Sequence, residues 1–397
     1  MSRYRIAGQS VASDDPQFAT LLGEIYGTKN RPLCVCREPG VEMYVAKVFG
    51  KFLAKRMPNS GGNHAPICDS YEPPLQLSGL GQVMGTAIQE NPEDGITTLK
   101  LNFSLTKRAN RAAPIPSGIE TDRVKTPGTK LTLRGTLNFL WHEAGLDRWS
   151  PAMQGKRNWY VIRKYLISAA ANKIVKGSSL ADILYIPELF SADKKAEIAQ
   201  RRTAQMMTVA TPQKGARRLM LAIGEVKEIA ASRYGYKIVL KHAPDFLFMI
   251  NEDLHRRLKK PFDAELGLWD AMDDVHLMII GTFGVSVTGI ASFEEVALMT
   301  VTEQWLPMEH SFDKALIEAM VRDNRRFVAG MRYNLPSTRP LACVVASGTN
   351  PDPTAMYIVP PGASDEYNIA LNKLVEESNL ASWIWRAGVT GMPPLPR

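Results

Sequence analysis

Four side chains of the kind that bind soft metal ions stand in two close pairs near the start of the sequence. Cys34 and Cys36 are separated by one residue, and His64 and Cys68 by three, with 27 residues between the pairs. Zinc prefers thiolate and imidazole ligands at the corners of a tetrahedron. Because four protein ligands leave no open position for a reacting water, the spacing predicts a closed, structural zinc site at Cys34, Cys36, His64 and Cys68.

Two other interpretations of these cysteines remain open. In the first, the thiols are small buried hydrophobes beside an incidental histidine. In the second, Cys34 and Cys36 form a redox pair. A disulfide between two cysteines this close in sequence is strained. Three of the four cysteines and one of the six histidines fall within the arrangement, which favours zinc. The remaining cysteine, Cys343, lies in the apolar run LACVVA and is predicted to be a buried hydrophobe.

Two short strands are expected to bring the two pairs together. Residues 41–48 and 51–57 are rich in β-formers, and the segment 58–62 (PNSGG) has the composition of a turn. A further strand is predicted at 97–104. Residues 1–105 are therefore interpreted as a zinc-knuckle or ribbon-like β module.

Positive charge is concentrated in one segment of the chain. Residues 100–178 hold fifteen Lys and Arg against four Asp and Glu, a local net charge of +11 within a total of +8. A local excess of this size builds a field that attracts polyanions, although a solvated surface without a partner is the alternative. The start of this region, 106–130, has the composition of a basic linker punctuated by Pro and Gly.

Helical patterns follow the linker and suggest a DNA-binding motif. Thr132 is a candidate N-cap for a first helix, Ser150 for a short second helix, and 156–173 is expected to form a third, with Trp159 in the core. Helix, short helix, basic helix and then a strand-like segment is the order of a winged helix, so 106–190 is interpreted as a helix-turn-helix-like domain. The candidate nucleic-acid contacts, with duplex DNA as the expected partner, are Lys107, Arg108, Arg111, Lys156, Arg157, Tyr160, Arg163 and Lys164.

The remainder, 191–397, is interpreted as an α+β domain with a mixed or antiparallel sheet. Helices are expected at 311–327 and 365–380. The first of these and the apolar runs after it resemble the core of PD-(D/E)xK nucleases, whose chemistry needs an acidic-x-Lys pair that holds Mg²⁺. The run at 355–359 reads AMYIV, and Asp352 and Glu318 do not fit the spacing. The sequence thus predicts an inactive relic if that fold is present.

Other chemistry has weaker support in the sequence. His142 and Glu143 are adjacent on a helix without the second histidine of a zinc protease, so His142 is predicted to be an ordinary surface residue. The segment PNSGGNH lacks the Gly-Lys-Ser/Thr of a phosphate-binding loop. No apolar run reaches a membrane-spanning length, and the first residues lack the apolar core of a secretory signal, so a cytoplasmic location without membrane contact is expected.

The amino-acid sequence around the cysteines resembles that of a bacterial protein family. C-V-C followed by MYVAKV, FLAKRMP, a Gly-containing turn, H-x₃-C and SYEPP…SGLG is similar to the domain of unknown function 1173 family, associated with conjugative plasmids and other mobile elements. The resemblance implies a mobile-element setting without an established activity. Together with the residues, it predicts a zinc-stabilised, nucleic-acid-binding accessory protein without catalysis. The alternatives are a metal-dependent nuclease or its relic, and an interaction module of a conjugation or replication complex.

Overall fold

A computed structural model describes residues 2–107, 128–210, 217–233 and 235–397 of the chain. These residues form a mixed α+β fold with several sheets and ten α-helices. The predicted α+β class is confirmed at this level. Within the described ranges, no helix has both the length and the apolar character needed to cross a membrane.

The first sheet is built from residues on both sides of the first cysteine pair. Its elements are β1 (Arg3–Ile6), β2 (Gln9–Ala12), α1 (Phe18–Ile25), β3 (Leu33–Cys34), β4 (Val41–Val48) and β5 (Lys51–Arg56). The strand order is β2-β1-β3-β4-β5. The predicted hairpin is confirmed, since β4 and β5 pair without interruption from Met43 opposite Arg56 to Val48 opposite Lys51.

A second sheet and a set of helices form the middle of the chain. Their elements are α2 (Leu80–Val83), β6 (Ile88–Asn91), β7 (Ile96–Leu99), β8 (Thr106–Lys107), α3 (Leu133–Glu143), β9 (Arg148–Trp149), α4 (Trp159–Ala170), β10 (Lys173–Val175), β11 (Ser178–Ser179), α5 (Leu180–Ile183), β12 (Leu184–Tyr185) and α6 (Lys195–Ala210). The sheet has the order β11-β10-β7-β6, in which β7 runs parallel to β10. This pairing joins segments on either side of the predicted boundary at residue 105.

The helix α3 begins where the sequence predicts, whereas a shorter element replaces the predicted second helix. Thr132 caps α3 by accepting the amide of Gly135, as its hydroxyl allows. Asn158 caps α4 in the same way. Ser150 is followed by a single 3₁₀ turn, Pro151–Met153, instead of a helix. The helix α3 is also buried along most of its length. The winged-helix arrangement remains a prediction.

The third unit is a closed five-stranded barrel that the sequence analysis did not predict. After β13 (Arg217–Arg218), its elements are β14 (Met220–Ser232), β15 (Gly235–Leu240), β16 (Ala243–Ile250), α7 (Glu252–Lys259), α8 (Asp263–Ala271), β17 (Val275–Val285) and β18 (Ala291–Thr302). The ring runs β14-β15-β16-β18-β17 and closes where β17 pairs with β14. The long β14 pairs with β17 through its first half and with β15 through its second.

The last unit is a mixed five-stranded sheet between two helices. Its elements are β19 (Pro307–Met308), which joins the barrel sheet, α9 (Ser311–Arg322), β20 (Phe327–Ala329), β21 (Val344–Ala346), β22 (Thr354–Val359), α10 (Asp365–Ser378) and β23 (Ala381–Arg386). The order is β23-β22-β21-β20-β9. Leu316 of α9 packs with Val344, and Leu371 of α10 packs with Val345, so the helices cover opposite faces of the sheet.

Candidate functional site

The four predicted metal ligands come from the end of one strand, the turn after it and one loop. Cys34 ends β3, and Cys36 lies in the turn that follows. The β4–β5 hairpin then carries the chain away and back. His64 directly follows a 3₁₀ turn (Gly61–Asn63), and Cys68 lies four residues later in the same loop. The hairpin therefore brings the two pairs together, as the sequence predicts.

The ligand atoms of the four residues all lie within 4.8 Å of one another. The two sulfurs of Cys34 and Cys68 are 3.7 Å apart, and Nδ1 of His64 is 3.4 Å from the sulfur of Cys36 and 3.8 Å from that of Cys68. A tetrahedral zinc centre has S–S edges of about 3.8 Å and S–N edges of about 3.6 Å, given its usual bond lengths. These three separations are close to the tetrahedral edges, so the group can hold a metal ion.

Two thiols of the cluster have pKa values shifted in opposite directions. Contact with Cys34 lowers the pKa of the Cys68 thiol to about 4, against the opposing effect of burial, and His64 lowers it further. The same contact, together with burial, raises the pKa of Cys34. Since cysteine binds metals as the thiolate, Cys68 is prepared for ligation, and a bound cation would supply the charge needed to deprotonate Cys34.

Backbone amides and a buried ring complete the surroundings. The amides of Ala65 and Ser70 donate to the sulfurs of Cys36 and Cys68, each at 3.4 Å. His64 is fully buried, and its Nε2 has no hydrogen-bond partner among the described residues. The histidine thus lies inside the cluster, and the only described polar contacts of its ring are with the sulfurs, which disfavours the interpretation as an incidental neighbour.

Two arginines fix the loop that carries the second ligand pair. Arg148, on β9, donates through Nη1 to the carbonyls of Asp69 (3.0 Å) and Tyr71 (2.5 Å). Arg326, just before β20, donates to the carbonyl of Ile67 (3.0 Å) and to Oδ1 of Asp69 (3.1 Å). The loop is therefore attached to the edge of the C-terminal sheet as well as to the ligands.

A buried ionic cluster lies directly beyond this loop. The ring of His142 is held between two carboxylates, with Nδ1 2.7 Å from Asp147 and Nε2 2.6 Å from Glu72. Burial alone lowers the pKa of His142, but Asp147 and Glu72 outweigh it and raise the pKa to about 10. Arg56 and Arg148 also pair with Glu72. The prediction that His142 is a surface residue is wrong, because its ring is buried between Asp147 and the sequence-distant Glu72.

Three of the predicted nucleic-acid residues are exposed in or just before α4. Tyr160 and Lys164 lie four residues apart within the helix and therefore point to one side of it, whereas Lys156 lies in the irregular segment that precedes the N-cap Asn158. Each is exposed. Neither lysine forms an ion pair with a residue that the structure describes. The exposed Tyr165, which the sequence analysis did not single out, lies beside Lys164, whose Nζ is 5.8 Å from its ring.

Two other predicted contacts turn inward from that face. The guanidinium of Arg157 donates to the carbonyls of Leu146 (2.9 Å), Gln304 (3.3 Å) and Arg148. Arg163 donates through Nε to the carbonyl of Ile186 at 3.1 Å. These arginines bind the protein's own backbone, which a charge count cannot reveal. Trp159 is buried, as predicted.

The linker residues are separate from this helix face. Lys107 is exposed and pairs with Glu294 of β18 at 2.7 Å. Arg108 and Arg111 lie outside the described residues. The structure therefore places Tyr160 and Lys164 on one side of α4, Lys156 just before that helix, and Lys107 on another element.

The strands that invited a comparison with nucleases carry no acidic centre. The described strand β22 has the sequence TAMYIV and is wholly buried. Glu318 pairs with Lys314 on the surface of α9. Asp352 lies in the loop before β22, where its carbonyl accepts from Thr349. Cys343 is buried, as predicted.

Comparison with known proteins supplies the family. No curated protein and no solved structure matched the chain in these searches. A family described as "Protein of unknown function (DUF1173)" matches residues 4–388, nearly the whole chain, including all four candidate metal ligands. The chain belongs to the DUF1173 family.

Proposed function

We propose that this chain is a zinc-stabilised, nucleic-acid-binding accessory protein of a mobile element, acting in the cytoplasm without catalysis of its own. The observation that carries the proposal is the exposure of Tyr160 and Lys164 on one side of α4, with Lys156 exposed just before the helix. Lysines free of carboxylate partners can neutralise phosphates, and an exposed aromatic ring adds contact with sugars or bases. The mobile-element setting rests on the family resemblance alone.

Zinc is proposed as the metal because of the ligand chemistry. Three thiols and one imidazole are soft ligands, and the separations fit a tetrahedron with four protein corners. A closed set of this kind stabilises a fold and does no hydrolytic chemistry. All four cysteines are free, as the reducing cytoplasm would keep them.

The barrel adds support at the level of fold. Numbered in chain order, the strands of the ring follow one another as first, second, third, fifth and fourth, and helices lie between the third and the fourth. This is the connectivity of an OB barrel, a fold that binds oligonucleotides and oligosaccharides. Fold alone does not establish function. On β15 and β16 the only basic residue is Lys237, which pairs with Glu228, whereas Trp159 of α4 stacks on His242 in the turn between these strands. The phosphate contacts are therefore assigned to α4, beside the barrel.

An interaction module is a second candidate, supported by apolar residues on the barrel. Leu247 and Ile290 are 41% and 54% exposed. Each immediately precedes one member of the Phe248–Ala291 pair of neighbouring strands, so the two side chains are adjacent. Exposed apolar groups that adjoin one another are typical of protein interfaces. Substituting both with Ser would abolish partner capture without changing nucleic-acid binding if this candidate is correct.

A nuclease is disfavoured by the absence of acidic and basic residues in β22. Incubation of single- and double-stranded DNA with the protein and Mg²⁺ or Mn²⁺ is expected to leave the DNA intact. Cleavage that Asp352→Ala or Glu318→Ala abolishes would show that an active centre exists nearby.

A salt titration tests the proposed function directly. Binding should weaken steeply as salt rises, because phosphate contacts release counterions. The double variant Lys156→Glu/Lys164→Glu should lose far more affinity than Lys259→Glu/Lys260→Glu, which makes the same charge change at two exposed lysines at the end of α7. Equal losses would indicate a diffuse field, and no binding by the wild-type protein at low salt would contradict the proposal.

A further inference from the structure

We infer that the face of α4 binds single-stranded nucleic acid, with unpaired bases stacked on Tyr160 and Tyr165 and phosphates held by Lys156 and Lys164. This inference rests on the proposed function and specifies its ligand. It departs from the duplex DNA that the sequence pattern suggests.

The first observation is the exposure of two aromatic rings. The side chains of Tyr160 and Tyr165 are 61% and 48% exposed. Within the described part of the chain, neither ring packs on another ring and neither hydroxyl forms a hydrogen bond; the one contact is the Lys164 ammonium near Tyr165. Large apolar rings left in water offer surface for stacking.

The second observation is the arrangement of rings around the charge. At about 100° per residue, Tyr160 lies about 40° to one side of Lys164 and Tyr165 about 100° to the other, with about 7.5 Å of helix rise between the tyrosines. Stacked bases in a duplex lie about 3.4 Å apart and cover each other's faces. Two rings that diverge in this way can only meet bases that have left a stack, as bases in a single strand do.

The third observation is that α4 lies flat against the protein. Arg157, just before the helix, donates to the backbone carbonyls of residues 146 and 148. Within the helix, Arg163 donates to the carbonyl of Ile186, and the Trp159 indole donates to the carbonyl of Pro187 at 2.9 Å. A recognition helix must project to enter a major groove about 12 Å wide. With neighbouring backbone attached at its N-terminal part, α4 presents its exposed side along the protein surface, where a flexible strand can reach it. The anchoring bonds use residues other than the proposed ligand contacts, so binding does not require them to break.

Fluorescence anisotropy with labelled oligonucleotides tests the inference on the full chain. A single strand of about 16 nucleotides, the upper site size of a single-strand-binding barrel, is compared with a duplex of the same sequence and with the corresponding RNA strand. We expect the single strands to bind more tightly than the duplex. Tyr160→Ala and Tyr165→Ala should each weaken single-strand binding by about tenfold or more, the effect of one lost stacking contact, while Tyr160→Phe should retain it.

Controls separate this inference from the proposed function. Phe49→Ala removes an exposed ring from the β4–β5 turn, and it should leave affinity unchanged. Thermal melts should show that all variants fold. Duplex binding as tight as single-strand binding, with silent Tyr→Ala variants, would overturn this inference and leave the proposed function standing. No binding of any of the three probes at low salt would overturn both.

Discussion

Two buried histidines on either side of one loop occupy opposite chemical environments. His64 faces three thiols, and a metal ion bound there would balance the charge of the ligating thiolates. His142 lies between Glu72 and Asp147, and as an imidazolium it supplies the cation itself. Residues 64–72 join the two clusters. The His142 cluster therefore carries its balancing charge within the chain, whereas the cysteine cluster would take its balancing charge from a bound metal ion.

The largest effect should come from removing a metal ligand. Cys68→Ser is expected to abolish stoichiometric zinc and to destabilise the protein by about 4 kcal/mol or more, because loss of a structural metal belongs to the most damaging class of substitutions. Metal content by atomic emission and a thermal melt measure the two effects. Cys343→Ala, at a buried cysteine outside the cluster, should keep the zinc. Full zinc content in Cys68→Ser would refute the four-ligand site.

A slightly smaller effect is expected at the self-contained cluster. His142→Gln leaves Glu72 and Asp147 buried without their shared cation, although Arg56 and Arg148 still pair with Glu72. Breaking a buried ion cluster costs about 3 kcal/mol or more. Chemical denaturation should show this loss while zinc content stays at one per chain. Simultaneous loss of zinc would mean that the two clusters are one unit.

The same cluster predicts a loss of stability at alkaline pH. The pKa of His142 is raised from 6.5 to about 10 by its carboxylates, so the stabilisation is fully present below pH 6.5 and is lost as the pH rises towards 10. The shift sets an upper limit of about 5 kcal/mol on the effect. Melts of metal-loaded protein between pH 6.5 and 10 measure it. The control is His142→Gln, in which this component of the pH dependence should be absent.

The spacing of residues made the metal site predictable, because close pairs of ligands restrict geometry within a few residues. The β4–β5 hairpin was predictable for the same local reason. The environment of His142 was not, since Glu72 lies 70 residues away and nothing in a helix pattern identifies a distant carboxylate. Arg157 shows the same limit: its charge suggested a phosphate contact, but it binds backbone carbonyls, one of them that of Gln304 far along the chain. Closure of the barrel depends on β14 pairing with β17 about 60 residues later, which strand composition does not encode.

The smallest expected effect concerns the link between the two clusters. Arg148 holds two carbonyls of the metal loop with Nη1, while Nη2 lies 3.3 Å from Glu72. Arg148→Lys keeps the charge but loses the planar fork, so we expect a loss of about 1 kcal/mol in stability and a severalfold faster loss of zinc to a competing chelator. It should also shift the alkaline transition of His142. Arg326→Lys loosens the same loop without touching Glu72, so zinc should again be lost faster while that transition stays unchanged. If both variants moved the transition equally, the loop and not the arginine fork would couple the clusters.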